Sequence, residues 1–404
     1  MKIAIIGGGA AGFFSAIHAQ TNFPESQVTI FEKSTKLLAK VKISGGGRCN
    51  LTNGESNIKK LILAYPRGGN KLRKLFTKFN TTDTIQWFES RGVATVTQDD
   101  NCVFPISQKS QSVIDCFLNE AKELGIEIKT SQGVAAIIPV DNKIKLEFLK
   151  ADFPAEIFDK VIVTTGGSPK LLGLKWLADV GHQIASPVPS LFTFNMPKNP
   201  VLELMGNVVE NTITSIQGTK HKADGPILIT HWGMSGPAIL KLSAFAARTL
   251  AEMDYQFHLQ INWLGITHFE HVVEEIKSIV KDHPKKILAN YRPFLLPERL
   301  WHHLIQKLNL PKDKKWSELG KKGINKIATI LTNDIYPVQG KTTFKEEFVT
   351  CGGVSLDDID FKTMQSKICP NLYFAGEVLD IDGITGGYNF QAAWTTGFIA
   401  GQLG

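Results

Sequence analysis

No stretch of this 404-residue sequence stays apolar long enough to span a membrane. Such a span needs about 18 consecutive apolar residues, and the longest runs here are broken earlier by Gly, Pro or charge. Met1-Lys2 leads straight into "IAIIGGG", too short and glycine-rich for a signal-peptide core, so a cytoplasmic protein is expected. No pair among Cys49, Cys102, Cys116, Cys351 and Cys369 is spaced C-x-x-C. That removes the signals for a thioredoxin-like pair or a zinc ribbon, and the cysteines read as free reduced thiols. "GMSGP" (Gly233 to Pro237) fails the G-x-S-x-G elbow because proline holds its last position, and no Asp-His partners are suitably spaced. A hydrolase is therefore excluded. His302-His303 lack a third ligand and read as surface residues, so no metal is expected. Internal repeats and low-complexity tracts are absent.

What is present is a globular composition, 43% hydrophobic and 21% charged, in a chain long enough for two or three domains. The net charge is +7 and unevenly spread: residues 266–326 hold 13 Lys and Arg against 7 Asp and Glu, with five of the ten histidines. A basic segment attracts nucleic acid or an acidic partner. No RNA-binding signature accompanies it, so a solvated helical face is the favoured reading and a nucleic-acid partner is not expected.

"KIAIIG" (Lys2 to Gly7) has the branched apolar run of a buried parallel strand. "AAGFFSAIHAQ" suits a helix and "QVTIFEK" a second strand, giving a βαβ unit in some thirty residues. In "KISGGGRCNLTNG" (Lys42 to Gly54) helix and strand periodicity are both absent, and four glycines allow close approach to the backbone. Residues 57–91 read as mostly helical. "ATVTQ" and "CVFPI" read as strands, and "SQSVIDCFLNEAKELG" as an amphipathic helix ending at Gly125. "IEIKT", "GVAAIIPV" and "KIKLEFL" read as strands, the last two a hairpin around Asp141-Asn142. "FDKVIVTTGG" is another buried strand. Pro187 to Gly236 reads as irregular structure plus short antiparallel strands, continued by "QFHLQINWL"; residues 267–332 read as helical. "TFKEEFVTCGGV" returns to strand, "NLYFAGEV" is a last buried strand, and "YNFQAAWTTGFIAGQLG" a last helix.

Gly7-Gly8-Gly9-Ala10-Ala11-Gly12 is a G-x-G-x-x-G between strand and helix, and Glu32 follows Gly12 by twenty residues. That is the dinucleotide fingerprint in its required context. Gly7 makes the turn, Gly9 lets backbone approach a pyrophosphate, and Gly12 lets helix meet sheet. Glu32 can accept from ribose hydroxyls and disfavours a 2′-phosphate. FAD and NAD share this fingerprint. "VIVTTGG" (Val161 to Gly167) adds a late strand ending in small residues. Gly386-Gly387-Tyr388-Asn389 opens a second glycine-led helix, whose dipole would stabilise negative charge on a reduced flavin. A second G-x-G-x-x-G, as in a built-in NAD(P)H domain, is missing.

"GGGAAG", "VKISGGGRCNLTN", "TTGG", "THWGMSGPAILKLS" and "GEVLDIDGITGGYNFQAAWTTGFIAG" together resemble the bacterial YhiN/BaiN-like flavoprotein family, over essentially the whole chain. The resemblance implies an α/β fold with a Rossmann-like FAD-binding domain in two segments, 1–189 and 341–404. An inserted β domain (190–265 and 333–340) would carry a small helical domain (266–332). It also implies that the Ser44 to Asn53 loop lies along bound FAD. The expected cofactor-contacting residues are Gly7, Gly9, Ala10, Ala11, Gly12, Glu32 and Lys33 in the fingerprint; Lys42, Ser44, Gly45, Gly46, Arg48, Cys49, Asn50 and Thr52 in the loop; and Val134, Thr165, Gly166 and Gly167. Near the far end they are Gly376, Glu377, Gly386, Gly387, Tyr388, Asn389, Phe390 and Ala392. Cys49 reads as a packed residue rather than a flavin-reactive thiol, and His231 as a buried structural histidine rather than one facing substrate. Asp380 and Asp382 would bond backbone or ribityl hydroxyls rather than a metal.

The expected function is hydride transfer between a small organic substrate and the flavin, in a crevice between the FAD and β domains, with NAD(P)H docking transiently as donor. A flavin-dependent amine oxidase using oxygen, an RNA-binding or RNA-modifying flavoprotein, and a non-catalytic redox sensor are the alternatives. No membrane partner is expected.

Overall fold

The computed structural model describes residues 1–342 and 349–404. It divides into two compact units, residues 1–190 with 344–404, and residues 191–343.

The first unit is built on a seven-stranded sheet. β1 (Lys2–Ile6) is its centre, paired in parallel with β2 (Gln27–Phe31) on one side and with Lys160–Val163 on the other. Leu372–Phe374 and Glu127–Lys129 extend the parallel set outward. Two short antiparallel strands, Ile359–Asp360 and Gln365–Ser366, finish one edge. Ile3, Ala4 and Ile5 have no exposed surface, as expected of a strand covered on both faces. The Asp141-Asn142 hairpin turn has φ of +46° and +60°, the left-handed pair a two-residue turn demands.

Helix α1 (Ala10–Asn22) crosses the sheet and meets the closing helix Tyr388–Ala400. The approach is close. A Cβ on Gly397 would lie 3.1 Å from the Ala11 carbonyl oxygen, and one on Gly401 would lie 2.9 Å from that of Ser15. Around this crossing sits an aromatic cluster that includes Phe14, Trp87, Phe117 and Trp394.

The second unit carries a seven-stranded sheet whose strand pairs are all antiparallel. Residues expected to be partly irregular form the long hairpin Val208–Ile216 and Lys222–Ile229. Its alternating burial comes from Val, Thr and Ile on one face, a period blurred in the sequence by a register shift between Val209 and Thr212. Helices Pro237–Phe245 and Ala247–Glu252 follow, where the sequence reading placed none. The basic segment forms helices Phe269–Asp282, Glu298–Lys307 and Gly320–Thr332. Lys307 reaches the buried Asp334 carboxylate at 2.5 Å and lies 3.9 Å from the Tyr336 ring centroid, joining the second of these helices to strand Asp334–Gln339. The expected strand across 343–354 is seen as Val349–Val354; residues 343–348 lie outside the described residues.

Candidate functional site

The fingerprint glycines each meet a different constraint. Gly7 has φ +115°, and a Cβ there would lie 2.6 Å from the Thr164 carbonyl oxygen. A Cβ on Gly12 would lie 1.9 Å from the Gly7 oxygen, so only glycine lets α1 start this close to β1. Gly9 is the opposite case: a Cβ there meets nothing within 4 Å. Gly9 is also the N-cap of α1, with no side-chain cap and no acidic residue in the first turn. The first-turn N–H groups have no side-chain cap, and the approach over Gly9 is open, which suits an anion. Glu32 accepts from the Gly8 N–H at 2.9 Å and the Ser34 N–H at 2.8 Å, holding its carboxylate beside this start. Lys33 and Val134 are drawn together by the Gln132 N–H bond to the Glu32 carbonyl and by Gly133, which sits against the Lys33 side chain.

The glycine loop departs from expectation at both ends. Its first part is helical: α2 (Ala39–Gly47) runs to Ile43, breaks at Ser44 (ψ 149°), and turns through Gly45 and Gly46 at φ +57° and +68°. Thr52–Asn53 then form a short strand against Cys102–Pro105. The apolar Val41, fully buried, anchors the helical turn that a count of glycines obscures. Cβ atoms on Gly46 and Gly47 would meet nothing within 4 Å. Arg48 holds its guanidinium carbon over Phe104, 4.1 Å from the ring centroid, with Nε donating to the Gly45 carbonyl and Nη1 to Gln108. Lys42 is exposed, and its carbonyl accepts from Ser110.

Several expected side chains are spent inside the protein, leaving their main chain for a ligand. Cys49 is fully buried at φ +65°, and burial pushes its thiol up to about 12, so it is not a ready nucleophile. Thr52 donates to Gln391 at 2.5 Å. Asn50 donates to the Thr52 carbonyl and accepts from the Gly387 N–H. Both amide atoms of Asn389 are bonded to Gly383. Phe390 stacks on Trp394 and Ala392 is buried.

These bonds fix the second helix start. Gly386 and Gly387 have φ of +125° and +86°, and a Cβ on Gly387 would strike the Thr52 carbonyl at 2.3 Å. Gly387 is the N-cap of the closing helix, again with no side-chain cap. Asn53 donates to the Gly386 carbonyl at 3.0 Å. The Tyr388 phenol is pushed up to about 12, by burial first and then by its neighbours Cys102, Glu55 and Asp100, so it keeps its proton at neutral pH.

A third cluster gathers around Gly376-Glu377. Glu377 accepts from Lys40 at 2.6 Å and from the Thr350 N–H at 2.9 Å. The Thr350 hydroxyl is buried without a hydrogen-bond partner among the described residues. Gly167 lies against both Glu377 and Thr350, Gly166 faces open space at φ +74°, and Thr165 is exposed. Sequence reasoning missed Lys40 and Thr350, which no motif marks.

Asp382 corrects the reading that it bonds a ribityl chain or backbone. It is fully buried, bonded by both carboxylate oxygens to the Arg67 guanidinium and by Ser190 at 2.7 Å. His231 is exposed, against the expectation of burial. His302 and His303 are half-buried rather than surface residues, and His302 bonds the Ala289 carbonyl. Among the described residues no group of three or more His, Cys, Asp or Glu could hold a metal ion, and no helix is long and apolar enough to cross a membrane.

Two uncapped helix starts, open glycine cradles and an unpaired buried hydroxyl, all in one unit, fit a long ligand carrying phosphates and hydroxyls. Comparison with known proteins agrees with that chemistry. The family profile described as HI0933-like protein Rossmann domain matches residues 1–403. A 3-dehydro-bile acid delta(4,6)-reductase of Clostridium scindens is 27% identical over 99% of this chain and 98% of its own length. A ribosomal RNA dihydrouridine synthase of Haemophilus influenzae is 28% identical over 98% of this chain and 96% of its own. Among solved structures, the 3-ketosteroid-delta4-(5alpha)-dehydrogenase of Rhodococcus jostii RHA1 shares the fold. Its TM-score is 0.52 at 12% identity, over 99% of this chain and 97% of that one.

Proposed function

Because the chain belongs to the HI0933-like family, an enzyme family of flavin-dependent oxidoreductases, we propose that it binds FAD in its discontinuous unit and reduces a carbon–carbon double bond conjugated to a carbonyl. The observation that carries the flavin assignment is the pair of uncapped, glycine-led helix starts on two mutually packed helices. The Gly7–Gly12 turn and the first N–H groups of α1 would hold the pyrophosphate, and Glu32 the adenosine ribose. Lys40 orients the Glu377 carboxylate, which with Thr350 would meet the hydroxyls of the ribityl chain. The Gly387-led helix start would favour negative charge at the flavin's pyrimidine edge. Bound there, FAD supplies hydride transfer. Tyr388, protonated at neutral pH, can donate a hydrogen bond from its hydroxyl.

The double-bond chemistry is supported by what the two relatives have in common. A 4,6-unsaturated 3-oxo steroid and uridine both present C=C in conjugation with C=O, where hydride addition to the far carbon is favoured. NAD(P)H is the proposed donor. With a single G-x-G-x-x-G in the sequence, taken by FAD, it would dock transiently. For the substrate, a uridine within RNA is a second reading beside a small molecule. The net charge of +7 and the relative that acts on ribosomal RNA favour it.

The test is an absorbance spectrum of the purified protein, then anaerobic NADH or NADPH, then a candidate acceptor. The visible flavin band should bleach with the donor and return with a 3-oxo-4-ene steroid or with uridine-containing RNA. A protein that takes up no FAD ends the proposal. A reduced flavin that neither acceptor reoxidises ends its double-bond part.

A further inference from the structure

We propose that the lysine-rich end of the helical part of the second unit is an RNA-docking surface, an inference that rests on reading RNA as the substrate. Residues 281–286 and 312–322 together contain eight lysines and three carboxylates. They are distant in sequence and are drawn side by side. Ile287 and Lys315 form an antiparallel bridge, the Leu288 N–H donates to the Lys314 carbonyl at 2.8 Å, and the Trp316 N–H to the Lys286 carbonyl at 3.0 Å. Lys285 and Lys286 thus lie beside Lys314 and Lys315, with Lys321 and Lys322 opening the next helix.

None of the eight lysines forms an ion pair among the described residues. Two of the three carboxylates are already bonded locally, Asp282 to Ser278 and Glu318 to the Lys315 N–H. Gathering like charges costs stability, and among the described residues no ion pair offsets it at these lysines. The lysines also stand on a firm support. Trp301 and Trp316 stack with rings 4° from parallel, their indole N–H groups on the Leu288 and Tyr291 carbonyls. A polyphosphate chain is the partner this chemistry fits: lysine meets phosphate as a point charge with no demand on geometry. A protein partner would call for apolar anchors, and neither stretch exposes a large hydrophobic side chain.

The experiment is filter binding of labelled, deproteinised ribosomal RNA to the FAD-loaded protein across a KCl series. In one variant Lys285, Lys286, Lys314 and Lys315 are all replaced by glutamine. In a second, the same charge is removed elsewhere by replacing the exposed Lys74, Lys122, Lys198 and Lys220. The cluster variant should lose on the order of tenfold or more in affinity. Its log–log salt slope should be shallower by about 3, at roughly 0.7–0.9 for each phosphate no longer neutralised. The control should lose far less. Equal losses in both would mean that only overall charge matters, and would overturn the surface, as would unmodified protein that does not bind the RNA. Flavin reduction by NADPH and reoxidation by a small enone are measured on all three proteins. They should be unchanged between variants, and their failure in the unmodified protein would count against the reductase reading, independently of RNA binding.

Discussion

Replacing Arg67 with methionine keeps most of the side-chain volume and removes the charge that faces Asp382. Asp382 has no exposed surface and Arg67 is 14% exposed, so the pair is screened from water. Without the guanidinium, the carboxylate keeps the Ser190 hydroxyl and gains no solvent. An uncompensated buried charge of this kind costs about 3–5 kcal/mol. At about 2–4 °C per kcal/mol for a unit of this size, the melting temperature should fall on the order of 10 °C. The pH dependence carries the sharper test. Burial raises the Asp382 pKa above the ordinary carboxylate value, while Arg67 and Ser190 pull it down. Removing Arg67 raises it further. An acid whose folded pKa is raised contributes stability that is complete below its unfolded pKa and is lost as pH rises through the folded one. The variant should therefore regain stability as pH is lowered from about 8 towards about 5, by more than the parent does. Thermal unfolding by tryptophan fluorescence across that range measures it. Adding Asp382→Asn should recover much of the loss, because no charge is then left buried. A variant that melts like the parent, or whose pH profile has the parent's shape, would show that the pair is not the electrostatic lock described.

Gly9→Ala should leave the apo protein's stability within about 0.5 kcal/mol, because the new methyl meets nothing. FAD retention on gel filtration should fall sharply, and unchanged retention would remove the pyrophosphate from that position. Gly12→Ala should instead destabilise the apo protein by about 1–3 kcal/mol, since its methyl would meet the Gly7 oxygen; denaturant unfolding reads this directly. Cys49 should resist alkylation in the native protein at mildly alkaline pH and react once the chain is unfolded, followed by mass spectrometry of the modified peptide.

The parallel sheet of the first unit was legible because its strands are short, branched and apolar and end on glycine, a pattern that neither a helix nor an exposed hairpin shares. Both glycine-led helix starts were legible for the same reason: a glycine run between two periods is a local signal. The side chains around them were less so. Asp382 stands two residues from Asp380 in a loop, and nothing local says that Arg67, more than 300 residues earlier, will claim it. Lys40 and Thr350 belong to no motif and meet at Glu377 only through the fold. The Val208–Ile229 hairpin was underread because a register shift interrupts its alternation, and the helical turn at Ala39–Ile43 because the glycines behind it dominate the window.

The crossing of α1 with the closing helix has a consequence for synthesis. One helix start lies at residues 7–12 and the other at 386–388, with the whole second unit between them in the chain. On the ribosome, residues 191–343 emerge and can fold as a unit while the first unit still lacks its last strand and helix. Until residues 387–400 arrive, the small-residue face of α1 has nothing to close against, and Thr52, Asn50 and the Leu51 carbonyl lack their partners Gln391, Gly387 and Trp394. The nascent chain therefore passes through a long interval in which its amino-terminal segment is apolar and unclosed. Loading of the dinucleotide is then a late event, and a stop codon just before Tyr388 would abolish it while leaving the inserted unit intact.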